Sequence, residues 1–140
     1  MKLSRVLLCL GLAVCTLSIW DTLAHSWDPA FQAPALPLGS KHTNYHAFRE
    51  FTLSVGAAAV LLYVMFLPSA QRARPLWVVM FLTAVCYYGG WWLPWPLLGL
   101  HAPNLAATVV HLAATILCLT SLGLAWAHFP LVNRSLEKIE

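Results

Sequence analysis

Four apolar stretches, roughly 4–23, 51–68, 76–95 and 105–127, take up most of this 140-residue chain. At about 1.5 Å rise per residue, each is long enough, or nearly so, to cross a hydrocarbon core of about 30 Å. The composition points the same way. The chain is 60% hydrophobic and 9% charged, against about 25% charged in an ordinary soluble domain. A small soluble fold has too much surface to hide so many apolar side chains. The expected fold is therefore all-α: an integral membrane four-helix bundle, one polytopic domain over residues 1–140 with the bilayer as its first partner.

Basic residues set the expected orientation, because cytoplasmic loops carry an excess of Lys and Arg. Lys2 and Arg5 precede the first stretch, Arg72 and Arg74 lie between the second and third, and Arg134 and Lys138 follow the fourth. Only Lys41 and Arg49 fall on the other side. The reading is N-in/C-in in a bacterial inner (plasma) membrane, with the 24–48 loop and the 96–104 link outside. Lys2 and Arg5 ahead of Val6–Trp20, with Thr22-Leu23-Ala24 as a passable cleavage site, also fit a signal peptide. A retained helix is favoured, because three spans would leave an awkward bundle. Scattered positive charge gives no stripe for nucleic acid.

Punctuation along the chain supports the layout. The 24–48 loop carries Pro29, Pro34, Pro37 and Gly39-Ser40, and its apolar segment 33–38 is expected to pack over the bundle mouth. From about Lys41 the pattern turns helical and leads into the second span. Pro68 stops that span and Pro75 opens the third, so the 69–75 link is a tight turn between antiparallel neighbours. Gly56 to Ala59 offer a small-residue face for close helix approach, or for self-association or a partner subunit. Tyr87, Tyr88, Trp91, Trp92 and Trp95 read as an interfacial belt; alternatively some rings, Trp91 among them, line a ligand pocket. Gly89-Gly90 weaken the helix there, and Pro94 and Pro96 end it. Cys9, Cys15, Cys86 and Cys118 lack C-x-x-C spacing and read as small buried thiols. Residues 135–138 are expected to add a helical turn.

Ionisable residues gather at the outer end: His25, Asp28, His42, His46, Arg49 and Glu50, with His111 inside the fourth span. Asn104, Thr108, His111, Thr115 and Cys118 are spaced four, three, four and three, which puts them on one helical face. A polar stripe in lipid should face neighbouring helices. The expected ligand-binding set is His46, Arg49, Glu50, Thr108, His111 and Trp91, in an outward-facing pocket between the second and fourth spans. A Glu50–His111 contact and an Asp21–Arg49 or Glu50–Arg49 ion pair are expected there. The set His42, His46, Glu50 and His111 has donors suited to a transition metal, and facing histidines suit haem.

No H-E-x-x-H, C-x-x-C-H, serine elbow or P-loop is present. In size and layout the chain resembles several families of small four-helix bacterial membrane proteins, the DoxX-like group among them, with no diagnostic residue behind the likeness. The leading functional expectation is an accessory or small-molecule-binding membrane protein. Its rivals are a metal- or haem-dependent redox enzyme or subunit, and a proton-linked transport element. The last is weakest, because the cytoplasmic half shows no matching polar path.

Overall fold

A computed structural model describes residues 1–35, 37 and 39–131. Arg134, Lys138 and the helical turn expected at 135–138 lie outside the described residues, as do Leu36 and Leu38 of the apolar loop segment. The described chain is all-α: α1 (Lys2–His25), α2 (His42–Phe66), α3 (Arg74–Trp92), the short α4 (Pro94–Leu98) and α5 (Leu105–Ala125). Single 3₁₀ turns follow at Pro29–Phe31, Ser69–Gln71 and Trp126–His128. Four helices, Lys2–His25, His42–Phe66, Arg74–Leu98 and Leu105–His128, are long and apolar enough to cross a membrane. Their outward faces carry large apolar side chains such as Leu10, Leu53, Val79, Leu82, Val109 and Ile116. The protein is an integral membrane four-helix bundle.

The helices run up and down in a ring. α1 packs most extensively on α5 and next on α2; α3 closes the ring between α2 and α5. Buried positions on α1 are Ser4, Leu8, Gly11, Leu12 and Cys15, and on α5 they are Ala114, Cys118, Ser121, Leu122 and Ala125. Most are small. In lipid the hydrophobic effect does not drive helices together, so close backbone approach and interhelical hydrogen bonds must. Ser121 Oγ donates to Ser4 O at 2.6 Å near one end, and Ser18 Oγ pairs with His111 Nε2 at 3.1 Å toward the other. Between them, a Cβ added to Gly11 would sit 2.6 Å from Cys118 Sγ and 3.2 Å from Cys118 N. The tightest crossing is therefore at Gly11, and not along Gly56–Ala59. Gly56 meets nothing within 4 Å.

The cysteines divide. Cys15 and Cys118 are buried, while Cys9 and Cys86 lie exposed on outer helix faces, which corrects the expectation of four buried thiols. Cys15 Sγ lies 3.3 Å from Tyr87 Oη, and Tyr88 Oη donates to Cys118 Sγ at 2.9 Å. These thiol–phenol bonds tie α3 to the α1–α5 pair through the bundle centre.

At the basic end, arginines serve as caps. Arg5 Nε donates to Met65 O at 3.3 Å, Arg72 Nε and Nη2 to Leu67 O at 3.0 and 2.8 Å, and Arg74 Nε to Phe129 O at 2.8 Å. The last carbonyls of a helix lack intrahelical partners, and cations there also suit its dipole. Arg74 additionally lies 3.3 Å over the Trp126 ring. Burial, and then the nearby Arg5 charge, lower the Arg72 pKa from its ordinary value.

At the other end, α2 begins at His42 and rises beyond the apolar stretch, as the pattern from Lys41 indicates. α3 runs unbroken through Gly89-Gly90 to Trp92; Leu93 then turns the chain into α4, which ends at Gly99 with φ +67°. Leu93 keeps helical dihedrals, so the prolines do not end this helix at once.

Gly11→Ala should lower stability in detergent by about 1–3 kcal/mol, the usual cost of overpacking. Gly56→Ala should not. Unfolding of both variants in parallel checks this, and equal behaviour would remove the α1–α5 crossing as the tight contact.

Candidate functional site

The helices splay at the acidic end around a cavity of 690 Å³. α1 contributes Leu17, Ser18, Asp21, Thr22 and His25; α2 contributes Thr43, His46, Ala47 and Glu50; α3 contributes Trp91; α5 and its approach contribute Pro103, Asn104, Ala106, Ala107, Val110 and His111. Phe31 from the loop completes the rim. A cavity of this size is typical of small-molecule sites.

The loop over the mouth is fastened by α2. Buried Asn44 donates from Nδ2 to His25 O at 2.8 Å and to Asp28 O at 3.1 Å. Thr43 Oγ1 donates to Phe31 O. Asp28 Oδ1 accepts from Ala30 N at 2.8 Å and so caps the first 3₁₀ turn. Asp28, part of the expected polar cluster, thus serves the loop. Asn44 was invisible to sequence reasoning, because a single Asn in a helical first turn carries no pattern.

His111 stacks on Trp91, with ring centroids 4.1 Å apart and 18° between planes. Trp92 Nε1 donates to Thr115 Oγ1 at 3.0 Å. The stripe on α5 therefore does face neighbours, but α1 and α3 receive it. His111 bonds Ser18, and no hydrogen bond joins it to Glu50, because α2 and α5 sit diagonally across the bundle. The expected direct Glu50–His111 contact is replaced by a shared cavity wall. The aromatic belt is corrected as well. Tyr88 is buried and Tyr87, Trp91 and Trp92 turn inward, leaving Trp95, with Trp20 and Trp27, as the exposed interfacial rings.

Of the expected ligand-binding residues, His46, Glu50, His111 and Trp91 line the cavity. Arg49 and Thr108 do not. Arg49 is exposed, and among the described residues it forms no ion pair with Asp21 or Glu50. Successive residues on a helix point about 100° apart, so Arg49 and Glu50 cannot face the same way. Thr108 Oγ1 is spent on Asn104 O at 3.0 Å. His42 lies outside the lining and bonds His46, Nε2 to Nε2, at 2.9 Å. Among the described residues no three His, Cys, Asp or Glu side chains are grouped to hold a metal ion. The expected metal set of His42, His46, Glu50 and His111 is thus not assembled as one ligand cluster.

Hydrogen-bond accounting defines the site's chemistry. Several of its donors are spent inside the protein, while Asn104 Nδ2 and the second ring nitrogens of His25, His46 and His111 make no hydrogen bond among the described residues. Thr22 Oγ1 donates to Ser18 O at 3.0 Å, His25 Nδ1 bonds Asp21 O at 2.8 Å, Thr43 bonds Phe31 O, and Ser18 pairs with His111. Asn104 Oδ1 accepts from Ala107 N at 2.8 Å and caps α5. The lining also carries two carboxylates, Asp21 and Glu50, both exposed. The exposed Asp21 carboxylate lies 3.8 Å from His25 Nδ1. Among the described residues no Lys or Arg lines the cavity.

Comparison with protein-family models, with curated proteins and with solved structures finds no match to this chain. The likeness of layout to the DoxX-like group therefore rests on layout alone.

Asn44→Ala should cost about 1–3 kcal/mol, because it strips two buried carbonyls of their donor. Arg49→Ala should change stability by less than about 0.5 kcal/mol, as for an unpaired surface residue. Thermal unfolding of the two variants in one detergent reads both. A large loss with Arg49→Ala would reinstate the ion pair.

Proposed function

We propose that this is a small-molecule-binding protein of a bacterial inner membrane, N-in/C-in, whose outward-facing cavity takes an organic cation such as an alkylammonium. One observation carries the reading: a 690 Å³ cavity lined by the carboxylates of Asp21 and Glu50 and, among the described residues, by no Lys or Arg. A cation supplies the missing positive charge. The half-buried Trp91 ring, which lines the same cavity as Glu50 and carries His111 stacked on one face, adds an aromatic surface of the kind that holds ammonium groups. The apolar wall of Leu17, Ala47, Ala106, Ala107 and Val110 suits the carbon body of such a ligand. The basic end, with Lys2, Arg5, Arg72 and Arg74, supports placement of that end in the cytoplasm. An accessory role beside a partner subunit fits the same reading, with the cavity delivering or sensing the cation.

The test is titration calorimetry on the protein in lipid nanodiscs, with butyltrimethylammonium as the cation and butanesulfonate as its charge-inverted counterpart. The cation should bind and the anion should not. Glu50→Gln should weaken cation binding about tenfold, equivalent to about 1.4 kcal/mol. Equal binding of anion and cation, or a Glu50→Gln variant with unchanged affinity, would overturn the proposal.

A further inference from the structure

A second cavity, of 550 Å³, opens between α2 and α3 below the first. Its lining shares Glu50 and Trp91 with the mouth cavity. From there it descends past Ser54 and Ala57 on α2 and past Tyr87 and Thr83 on α3. Glu50 to Ala57 is about two helical turns, or about 10 Å, so the groove runs from the carboxylate into hydrocarbon depth. Leu53 and Cys86, which also line it, are exposed on the outside of the bundle. The groove is therefore open sideways, toward lipid.

Its hydroxyls do not make it a polar site. Ser54 Oγ donates to Glu50 O at 2.8 Å, Thr83 Oγ1 donates to Val79 O at 2.9 Å, and Tyr87 Oη pairs with Cys15 Sγ at 3.3 Å. With those groups satisfied, the groove presents carbon, and the charge stands only at its top. A polar head at Glu50 and Trp91 would leave an attached chain in line with the groove.

Resting on the cation-binding reading above, we infer that the two cavities form one site for a single-chain ammonium amphiphile of the bilayer. The head lies against Asp21, Glu50 and Trp91, and the chain lies between α2 and α3. Charge complementarity fixes the head group, and continuity through Glu50 and Trp91 fixes where the chain goes. The lateral opening lets such a molecule enter from the membrane without crossing the aqueous mouth.

The experiment measures competition by n-alkyltrimethylammonium ions, from methyl to decyl, against a radiolabelled short-chain ammonium on nanodisc-embedded protein. Affinity should rise about fourfold per methylene, from about 0.8 kcal/mol per buried CH₂, and level off near octyl, where the groove ends. Partition into the bilayer also depends on chain length, so the groove is filled in two separate variants, Ala57→Phe and Thr83→Leu. In each the dependence on chain length should flatten while the short ion still binds, which also certifies that the variant has folded. If the short ion binds but chain length has the same effect in wild type and both variants, the two-chamber site is wrong and the mouth cavity stands. If no ammonium ion binds wild type at all, the cation-binding reading itself fails.

Discussion

The close contact of α1 with α5 is the constraint on which the rest of the structure depends. Lipid offers no hydrophobic gain for joining two apolar helices, so the pair is held by backbone proximity and hydrogen bonds. Gly11 admits the Cys118 side chain, Ser121 bonds the Ser4 carbonyl, and Ser18 bonds His111. These contacts fix an antiparallel register. That register brings the last two turns of α1, with Asp21, Thr22 and His25, level with the start of α5. The cavity wall on that side is a consequence of packing farther down.

The same economy of hydrogen bonds shapes the mouth. Polar side chains near hydrocarbon depth gain from a partner, and the hydroxyls of Ser18, Thr22, Thr43 and Thr115 each find one on their own helix, on a neighbouring helix or on the loop. Asp21 and Glu50 accept no hydrogen bond on their carboxylates among the described residues, and both are exposed at the cavity. The cation reading proposed for the site rests on these two carboxylates, and the aromatic wall at Trp91 and His111 gives the cavity its shape. The basic end contrasts with it. There Arg5, Arg72 and Arg74 spend their donors on carbonyls at helix ends, so positive charge is consumed in closing the bundle.

Much of the architecture was legible in the sequence. Apolar length marks the four spans, Pro68 and Pro75 mark the tight turn, and the spacing of Asn104, Thr108, His111, Thr115 and Cys118 marks the inward face of α5. Helix type and inward face are local properties, and one chain's periodicity records them. Which helix receives a face is not local. The expectation that α5 faces α2 came from depth alone, and depth matched Glu50 to His111 without knowing that α1 lies between. Arg49 and Thr108 were misplaced for related reasons: one points away from its acidic neighbour, and the other is absorbed by its own helix cap. Ser18, Asn44 and Gly11 gave no signal because each matters only through a partner distant in sequence. The small-residue run Gly56–Ala59 does not form the tight crossing within the chain, since small residues permit close approach without requiring it.

The α1–α5 register is tested most directly by cross-linking in native membranes. Cysteines would replace Ser18 and His111 in a chain whose exposed Cys9 and Cys86 are alanine, and a short bifunctional thiol reagent would be applied. The account predicts efficient intramolecular cross-linking of Ser18→Cys with His111→Cys, and little for Leu10→Cys with His111→Cys. Failure of the first pair to cross-link, although each cysteine alone reacts, would contradict it.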